Sequence, residues 1–315
     1  MEYLDSINTE KLSDRHKIPV TVITGFLGAG KTTLINKLLK KYNNKQFALV
    51  ENEFGEVSID SKLIQGVNAS QMFELKEGCI CCTITDEYEQ ILQELAERFP
   101  NVEHLLIETT GVADPAAVIQ PFYSDEKLQE LYHFNGTICI LDIQNFEHLP
   151  EKEIRYKQLA LADQILINKA ENLSDEQKLE WLEIARKINP FANIGFSQLK
   201  QHDTEINLEN ISQKIRTAFD YVSPDASHAH IDTKLIELEQ PILKEEFIRK
   251  FSYMMDVHKR SIYRAKGILY FKEEPFEYIL QGIGGSYELV EGDIFNSVGK
   301  SIIVLIGKDL VNFYI

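Results

Sequence analysis

The stretch "IPVTVITGFLGAGKTTLINKLLKKY", Ile18 to Tyr42, decides the fold. It begins with an apolar, β-branched run from Pro19 to Thr24 and continues into a glycine-rich turn. After the turn, apolar side chains recur at helical spacing, at Leu34, Ile35, Leu38 and Leu39. The sequence therefore predicts a strand, a tight loop and an amphipathic helix in direct succession.

The loop matches G-x-x-x-x-G-K-[ST] and has the strand-to-helix context that phosphate binding requires. Its glycines let backbone amides point at phosphate oxygens, at the positive end of the helix dipole. Lys31 is predicted to reach the β- and γ-phosphates, and the Thr32 hydroxyl to ligate Mg²⁺. A glycine turn without a ligand is the alternative. The predicted nucleotide-binding residues are Gly25, Gly28, Ala29, Gly30, Lys31, Thr32 and Thr33.

A second apolar run, Val102 to Ile107, ends in Glu108 and is followed by Gly111. An acid at the carboxyl end of a strand beside a phosphate loop holds Mg²⁺ through water or positions the attacking water, and a nearby glycine amide senses the γ-phosphate. We predict Lys31 and Glu108 as catalytic residues and Gly111 as a nucleotide contact. The pattern is weak when taken alone, so a purely structural role is the alternative.

Two more strand patterns follow. The first, "GTICILDIQNF", contains Cys139, which we interpret as a small buried hydrophobe. The second, "DQILINKAENL", leads to Asn168, Lys169 and Glu171, where P-loop GTPases carry N-K-x-D and use the acid to recognise guanine. Glutamate keeps the acceptor but moves it outward by one methylene. We predict guanine recognition by these three residues, and a surface Asn-Lys pair is the alternative.

The stretch "EGCICC" holds three of the four cysteines, Cys79, Cys81 and Cys82. Thiolates favour Zn²⁺, and Co²⁺ often fits a zinc site. Gly78 would ease the turn that three thiolates need in order to reach one ion. A site with an open position would let the metal exchange. A redox switch, or packing alone, remains the alternative.

Three carboxylates, Glu51, Glu53 and Glu56, lie in "ENEFGEVSID", at the end of the strand pattern "FALVEN" and just beyond it. Oxygen ligands commonly complete mixed metal sites. We take Glu51 and Glu56 as candidate ligands of Mg²⁺ or of a transferred metal. A solvated acidic loop is the alternative.

The composition restricts the classes of partner. The chain has 315 residues, of which 44% are hydrophobic, enough for a sizeable core and two domains. A formal net charge of −16 argues against nucleic-acid or anionic-membrane partners, which need basic patches. The segment Met1 to Lys17 has no apolar h-region, so we expect a cytoplasmic protein with reduced thiols.

The motifs "GFLGAGKTT", "ENEFGEVSID", "EGCICC", "ETTGVADP" and "NKAE", in this order, resemble the CobW-type GTPases, particularly the YjiA type. The resemblance extends from Pro19 to Pro190 and, more weakly, to "IYRAKGILYF" in the C-terminal part. It implies a GTP-dependent metallochaperone that binds zinc or cobalt at C-x-C-C and serves a client metalloprotein. It assigns the phosphate and Mg²⁺ roles to Lys31 and Thr32, the E-x-x-G role to Glu108 and Gly111, and the base-site role to Asn168 and Lys169. Glu171 matches by position and charge.

The expected fold class is α/β, a doubly wound P-loop NTPase sheet with a smaller α+β CobW C-terminal domain. We expect a polar tail (1–17), a P-loop GTPase domain (18–222), a linker (223–230) and the second domain (231–315). That domain is predicted to have strands near 231–239, 262–271, 276–283 and 301–307 and a helix over 243–256, with Met254 and Met255 in its core. His228 and His230 in the linker are interpreted as exposed, with metal binding as the alternative.

Two functions from different classes follow from these patterns. The first is a GTP-hydrolysing metal chaperone, with GTP, Mg²⁺ and Zn²⁺ (or Co²⁺) as ligands and a client metalloprotein as partner. The second is a nucleotide-dependent small-molecule kinase, or a redox-regulated NTPase, with structural or redox cysteines. We expect no nucleic-acid or membrane partner, and either a monomer or a homodimer.

Overall fold

A computed structural model describes residues 16–52, 72–74, 85–146, 151–197, 199, 206–209, 211, 226–228, 231–295 and 299–310. The described elements form two sheets. The first is entirely parallel and has seven strands in the order β3-β2-β4-β1-β5-β6-β7. These are β1 (Ile18–Thr24), β2 (Phe47–Asn52), β3 (Met72–Glu74), β4 (His104–Thr109), β5 (Tyr132–Asp142), β6 (Gln164–Asn168) and β7 (Asn193–Ser197).

Helices cover both faces of the parallel sheet, because its central strands are apolar on both sides. On one face, Ile23, Leu106 and Ile140 pack with the buried side chains of the first helix. On the other, Val22 and Ile107 pack in a larger core that contains residues of several helices. The helices are α1 (Lys31–Lys41), α2 (Thr85–Arg98), α3 (Pro115–Ile119), α4 (Pro121–Ser124), α5 (Glu126–Leu131), α6 (Lys152–Leu161) and α7 (Asp175–Ile188).

The second sheet is antiparallel, with the order β12-β11-β10-β13-β9-β8. Helix α8 (Lys244–Val257) packs on one face through Phe247, Phe251, Met254 and Met255, so the prediction that the two methionines are core residues is confirmed. The strands are β8 (Ala226–His228), β9 (Ile231–Leu238), β10 (Ile262–Tyr270), β11 (Phe276–Ile283), β12 (Ser286–Ile294) and β13 (Ser301–Gly307).

The predicted fold class is confirmed, but two strands of the second sheet were not predicted. Strand β12 is an edge strand whose residues are mostly half-buried or exposed, so it lacks the apolar run that marked its neighbours. Strand β8 lies within segment 223–230, which the sequence suggested as a linker, and it pairs with β9. Its three residues, Ala-Ser-His, carry no recognisable strand signal.

Candidate functional site

The glycine-rich loop between β1 and α1 has a backbone that only glycine adopts easily. Gly25, Gly28 and Gly30 have φ of 138°, 72° and 115°, in the region that side chains with a Cβ disfavour. A Cβ at Gly25 would also lie 2.5 Å from the Ile140 carbonyl oxygen of the neighbouring strand β5. The loop is therefore fixed by its glycines in the tight form that the pattern predicted.

Lys31 turns back over this loop instead of extending into solvent. The side chain is buried, and its Nζ donates to the carbonyl oxygens of Gly25 at 3.0 Å and Phe26 at 3.4 Å. Ala29 lies fully buried inside the loop, and Thr33 is exposed at the start of α1. The lysine ammonium is thus held beside the backbone of the loop, in a position from which it would contact phosphates.

The structure brings Thr32 and Glu108 together. The Thr32 hydroxyl donates to Glu108 Oε1 at 3.4 Å. Their proximity follows from the sheet order, since β1 and β4 are parallel neighbours and Ile23 pairs with Glu108 in their register. A hydroxyl at the start of α1 and a carboxylate near the end of β4 offer the oxygen donors that Mg²⁺ prefers.

Gly111 lies directly against the glycine-rich loop. A Cβ on Gly111 would come within 2.3 Å of the Leu27 backbone nitrogen, so only glycine permits this approach of the two segments. On the other side, Gln158 of α6 donates its amide to the carbonyl oxygens of Gly111 at 3.1 Å and Ala113 at 3.4 Å. Sequence reasoning missed Gln158, since a glutamine within a helical pattern carries no local signal.

Asn168 and Lys169 lie at the end of β6, on the other side of the loop. The Asn168 amide donates to the Ala29 carbonyl oxygen at 2.9 Å, which ties β6 to the glycine-rich loop. Lys169 has a positive φ of 62°, and its Nζ lies 2.7 Å from Asp142 Oδ2. Glu171 is exposed in the following turn. Asp142, which is buried at the end of β5, is a second site residue that the sequence reasoning did not select.

A small pocket lies beside Phe26 of the glycine-rich loop, between the end of β5 and helix α6. The buried Arg155 guanidinium of α6 lies over the ring of Phe26, at 5.6 Å, and over that of Phe146, at 5.3 Å. These contacts are within the range of cation–π attraction. Asp142 and Gln158 line the same pocket, so α6 supports the loop, the Gly111 segment and the β5 end together.

The predicted metal-binding residues are placed only in part. Cys79, Cys81, Cys82, Glu53 and Glu56 lie outside the described residues, as does His230, and of Glu51 and His228 only the backbone is described. Glu51 pairs with Glu108 in the register of β2 and β4. Within the described ranges, no three His, Cys, Asp or Glu side chains are grouped to hold a metal ion. Cys139 is buried, and burial raises the pKa of its thiol to about 12.

The fold, the glycine-rich loop and the order of the motifs define a P-loop GTPase. The chain belongs to the CobW/HypB/UreG family: residues 19–195 match the family's nucleotide-binding domain, and residues 231–312 match the cobalamin synthesis protein CobW C-terminal domain.

None of the helices in the described part of the chain is long and apolar enough to cross a membrane.

Several characterised proteins are similar over most of the chain. The zinc chaperone YjiA of Escherichia coli is 33% identical over 286 residues, which cover 86% of this chain and 87% of YjiA. The zinc-regulated GTPase metalloprotein activator 1 of Schizosaccharomyces pombe is 27% identical over 316 residues, 87% of this chain and 77% of the relative. The crystal structure of Zn(II)-bound YjiA GTPase from E. coli matches with a TM-score of 0.66 and 26% identity, covering 94% of this chain and 96% of that one.

Proposed function

We propose that this protein is a GTP-hydrolysing metal chaperone that binds zinc at Cys79, Cys81 and Cys82 and transfers it to a client metalloprotein according to its nucleotide state. The contact between Thr32 and Glu108 carries this proposal, because it joins the glycine-rich loop to the strand that precedes Gly111. The names of the E. coli and S. pombe relatives, a zinc chaperone and a zinc-regulated GTPase activator, support zinc as the metal.

In this proposal Lys31 and the loop amides bind the β- and γ-phosphates. Thr32 and Glu108 would hold Mg²⁺, which would supply charge neutralisation at the phosphates. Water attacks the γ-phosphorus while the bond to the β,γ-bridging oxygen breaks, and the proton of the water passes to the released inorganic phosphate. Lys31 stabilises the negative charge that moves to the leaving β-phosphate. Glu108 would position the attacking water or hold Mg²⁺ through water, and Gly111 would contact the γ-phosphate through its amide.

Guanine recognition is assigned to Asn168, Lys169 and Glu171. The hydrogen bond from Asn168 to the Ala29 carbonyl oxygen supports this, because it fixes the end of β6 against the phosphate loop. Lys169 is oriented by its ion pair with the buried Asp142. Glu171 is exposed, so its carboxylate is accessible for the donors of guanine. The proposal therefore adds Asp142 to the predicted base site, as a residue that positions Lys169.

The position of the cysteines in the chain supports coupling between nucleotide and metal. They lie between β2, whose end is in register with Glu108, and β4, which carries Glu108 itself. A change at the γ-phosphate would therefore act at both ends of the segment that holds the metal. Zinc is preferred to cobalt because the thiolate ligands suit zinc and the affinity order disfavours cobalt.

The test combines metal binding with nucleotide turnover. We expect Cys81→Ser to lower zinc affinity, and the matched variant Cys139→Ser, at a buried position outside the motif, to leave it unchanged. We expect wild-type zinc affinity to differ between the apo, GDP-bound and GTP-analogue-bound protein. Equal zinc affinity in all three states would contradict the coupling, and faster turnover of ATP than of GTP would favour the kinase alternative.

A further inference from the structure

Adjacent side chains of helix α6 contact the segment that follows Glu108. Gln158 holds the carbonyl oxygens of Gly111 and Ala113. Lys157, its neighbour, makes an ion pair with Asp114, with Nζ 2.5 Å from Oδ2. Asp114 in turn caps α3, because its Oδ1 accepts a hydrogen bond from the Ala116 amide at 2.9 Å. The segment from Gly111 to Asp114 therefore takes its position from α6.

Lys157 also contacts the C-terminal domain. Its Nζ lies 4.8 Å from the centre of the Tyr263 ring, on strand β10, within cation–π range. Tyr263 is 2% exposed. The side chain of Lys157 is 17% exposed and that of Asp114 is 43% exposed, so water partly screens the ion pair. One ammonium group thus joins the Gly111 segment of the first domain to the sheet of the second.

The same helix is anchored to the second domain one turn earlier. The two carboxylate oxygens of Glu153 accept hydrogen bonds from the Tyr263 hydroxyl, at 3.1 Å, and from Lys308, at 3.2 Å. Lys308 follows directly after β13. A shift of β10 relative to α6 would therefore move the Tyr263 ring under Lys157, and the ion pair would transmit that shift to Asp114.

We propose that Lys157 is a positioning residue through which the C-terminal domain controls the Gly111 segment during GTP hydrolysis. The inference rests on the proposed role of Gly111 at the γ-phosphate. Lys157 contacts Asp114, beyond Gly111, and it lies outside the set of residues predicted to bind the nucleotide. Its loss should therefore alter the response to the γ-phosphate and leave GDP binding intact.

The decisive variant is Lys157→Met, which keeps the length and apolar body of the side chain and removes the charge. We expect kcat for GTP to fall about tenfold, a barrier change of about 1.4 kcal/mol. The preference for a non-hydrolysable GTP analogue over GDP should fall with it, while the dissociation constant for GDP stays the same. Lys157→Arg, which retains the cation, should restore turnover. Lys178→Met, at an exposed ion pair of α7, is the matched control and should have no effect.

The link to the second domain is tested by Tyr263→Leu, which removes the ring, beside Tyr263→Phe, which keeps it. Of the two tyrosine variants, we expect only Tyr263→Leu to lower kcat. The double variant Tyr263→Leu with Lys157→Met should be no slower than the slower of the two single variants, because the ring and the ammonium act in series. Multiplicative losses would overturn the proposal, and so would a Lys157→Met protein with wild-type kcat and analogue preference. Where Tyr263→Leu does not fold, the comparison of Lys157→Met with Lys157→Arg and Lys178→Met still decides whether Lys157 positions the Gly111 segment.

Two different results distinguish failure of the proposed function from failure of the inference about Lys157. A wild-type protein that neither binds GDP nor hydrolyses GTP would contradict the proposed nucleotide site. A wild-type protein that does both, with unaltered kinetics in Lys157→Met, would contradict only the inference about Lys157.

Discussion

Gly111 is the residue at which the segment after β4 contacts the glycine-rich loop. Three atoms of Leu27 lie nearest to an ideal Cβ at this position, and two of them, N at 2.3 Å and Cα at 2.8 Å, belong to the backbone. Backbone atoms cannot rotate away as the end of a flexible side chain can, so any Cβ here must separate the two segments. The glycine therefore sets the distance between the candidate γ-phosphate contact and the loop.

We expect Gly111→Ala to lower kcat for GTP by about a hundredfold, because a displacement of about 1 Å in a positioned site has an effect of that size. GDP affinity should change much less, since Gly111 is assigned to the γ-phosphate. Steady-state turnover and GDP titration measure the two quantities. Gly195→Ala is the control, because no atom lies within 4 Å of a Cβ there. A Gly111→Ala protein with wild-type turnover would remove Gly111 from the site.

For single residues, the sequence predicted those whose signal is local and missed those whose partners are distant in the chain. Gly25, Gly30, Lys31 and Thr32 are close in the chain, and their local spacing is itself the signal. Gln158 and Lys157 act on residues more than 40 positions away, at separations of 47 and 43. Nothing in a helical pattern tells which neighbouring element its polar face will meet. These partners therefore became evident only from the three-dimensional structure.

At the scale of elements, the ends of adjacent parallel strands assemble the site. Asp142 ends β5, and Asn168 ends β6 directly beside it in register. This adjacency is why the Lys169 ammonium, one residue further on, reaches the Asp142 carboxylate. The strand patterns were predictable from their apolar runs, whereas the order of the strands, and with it the pairing of Asp142 with Lys169, was not.

We expect Asp142→Asn to weaken the binding of GTP and GDP alike, by about tenfold, because a buried hydrogen bond to a charged group contributes about 1.5–3 kcal/mol. The equal effect follows from the assignment of Lys169 to the base end, which both nucleotides share. Titration with fluorescent GTP and GDP analogues would measure it. A loss confined to GTP would show that Asp142 acts at the phosphates instead.

At the scale of the whole molecule, the two sheets share one core. Ile231, Tyr263 and Val304 of the second sheet pack in the same cluster as Val22 and Ile107 of the first. Apolar periodicity predicted which faces are buried, but it carries no information on which sheet covers which. A shared core of this kind would let the second domain influence the proposed nucleotide site through α6 without contributing a predicted nucleotide ligand.

A buried charge cluster lies at this junction. Asp163, immediately before β6, makes ion pairs with Arg264 and with Lys266 of β10. Arg264 also donates to the Leu161 carbonyl oxygen at the end of α6. Burial opposes ionisation of Asp163, but the charges of Arg264 and Lys266 outweigh it and hold the pKa of the carboxyl below its ordinary value. Burial and the Arg264 charge lower the pKa of Lys266 to about 8.

Asp163→Asn should destabilise the protein by about 3 kcal/mol at pH 7, because it leaves two buried cations without their counter-ion. Lys266 adds a pH dependence: above pH 8 the unfolded chain, with an ordinary lysine pKa of about 10.4, binds more protons than the folded one, so this group's contribution to stability rises with pH. In the Asp163→Asn variant the pKa of Lys266 falls further. The loss in free energy of unfolding, relative to the wild type, should therefore be smaller at pH 9.5 than at pH 7.

Urea unfolding at both pH values measures this deficit in stability, and Asp163→Asn combined with Lys266→Met should recover part of it. A deficit that is unchanged by pH and by the second substitution would show that Lys266 does not depend on Asp163 for its charge at the junction between the two sheets.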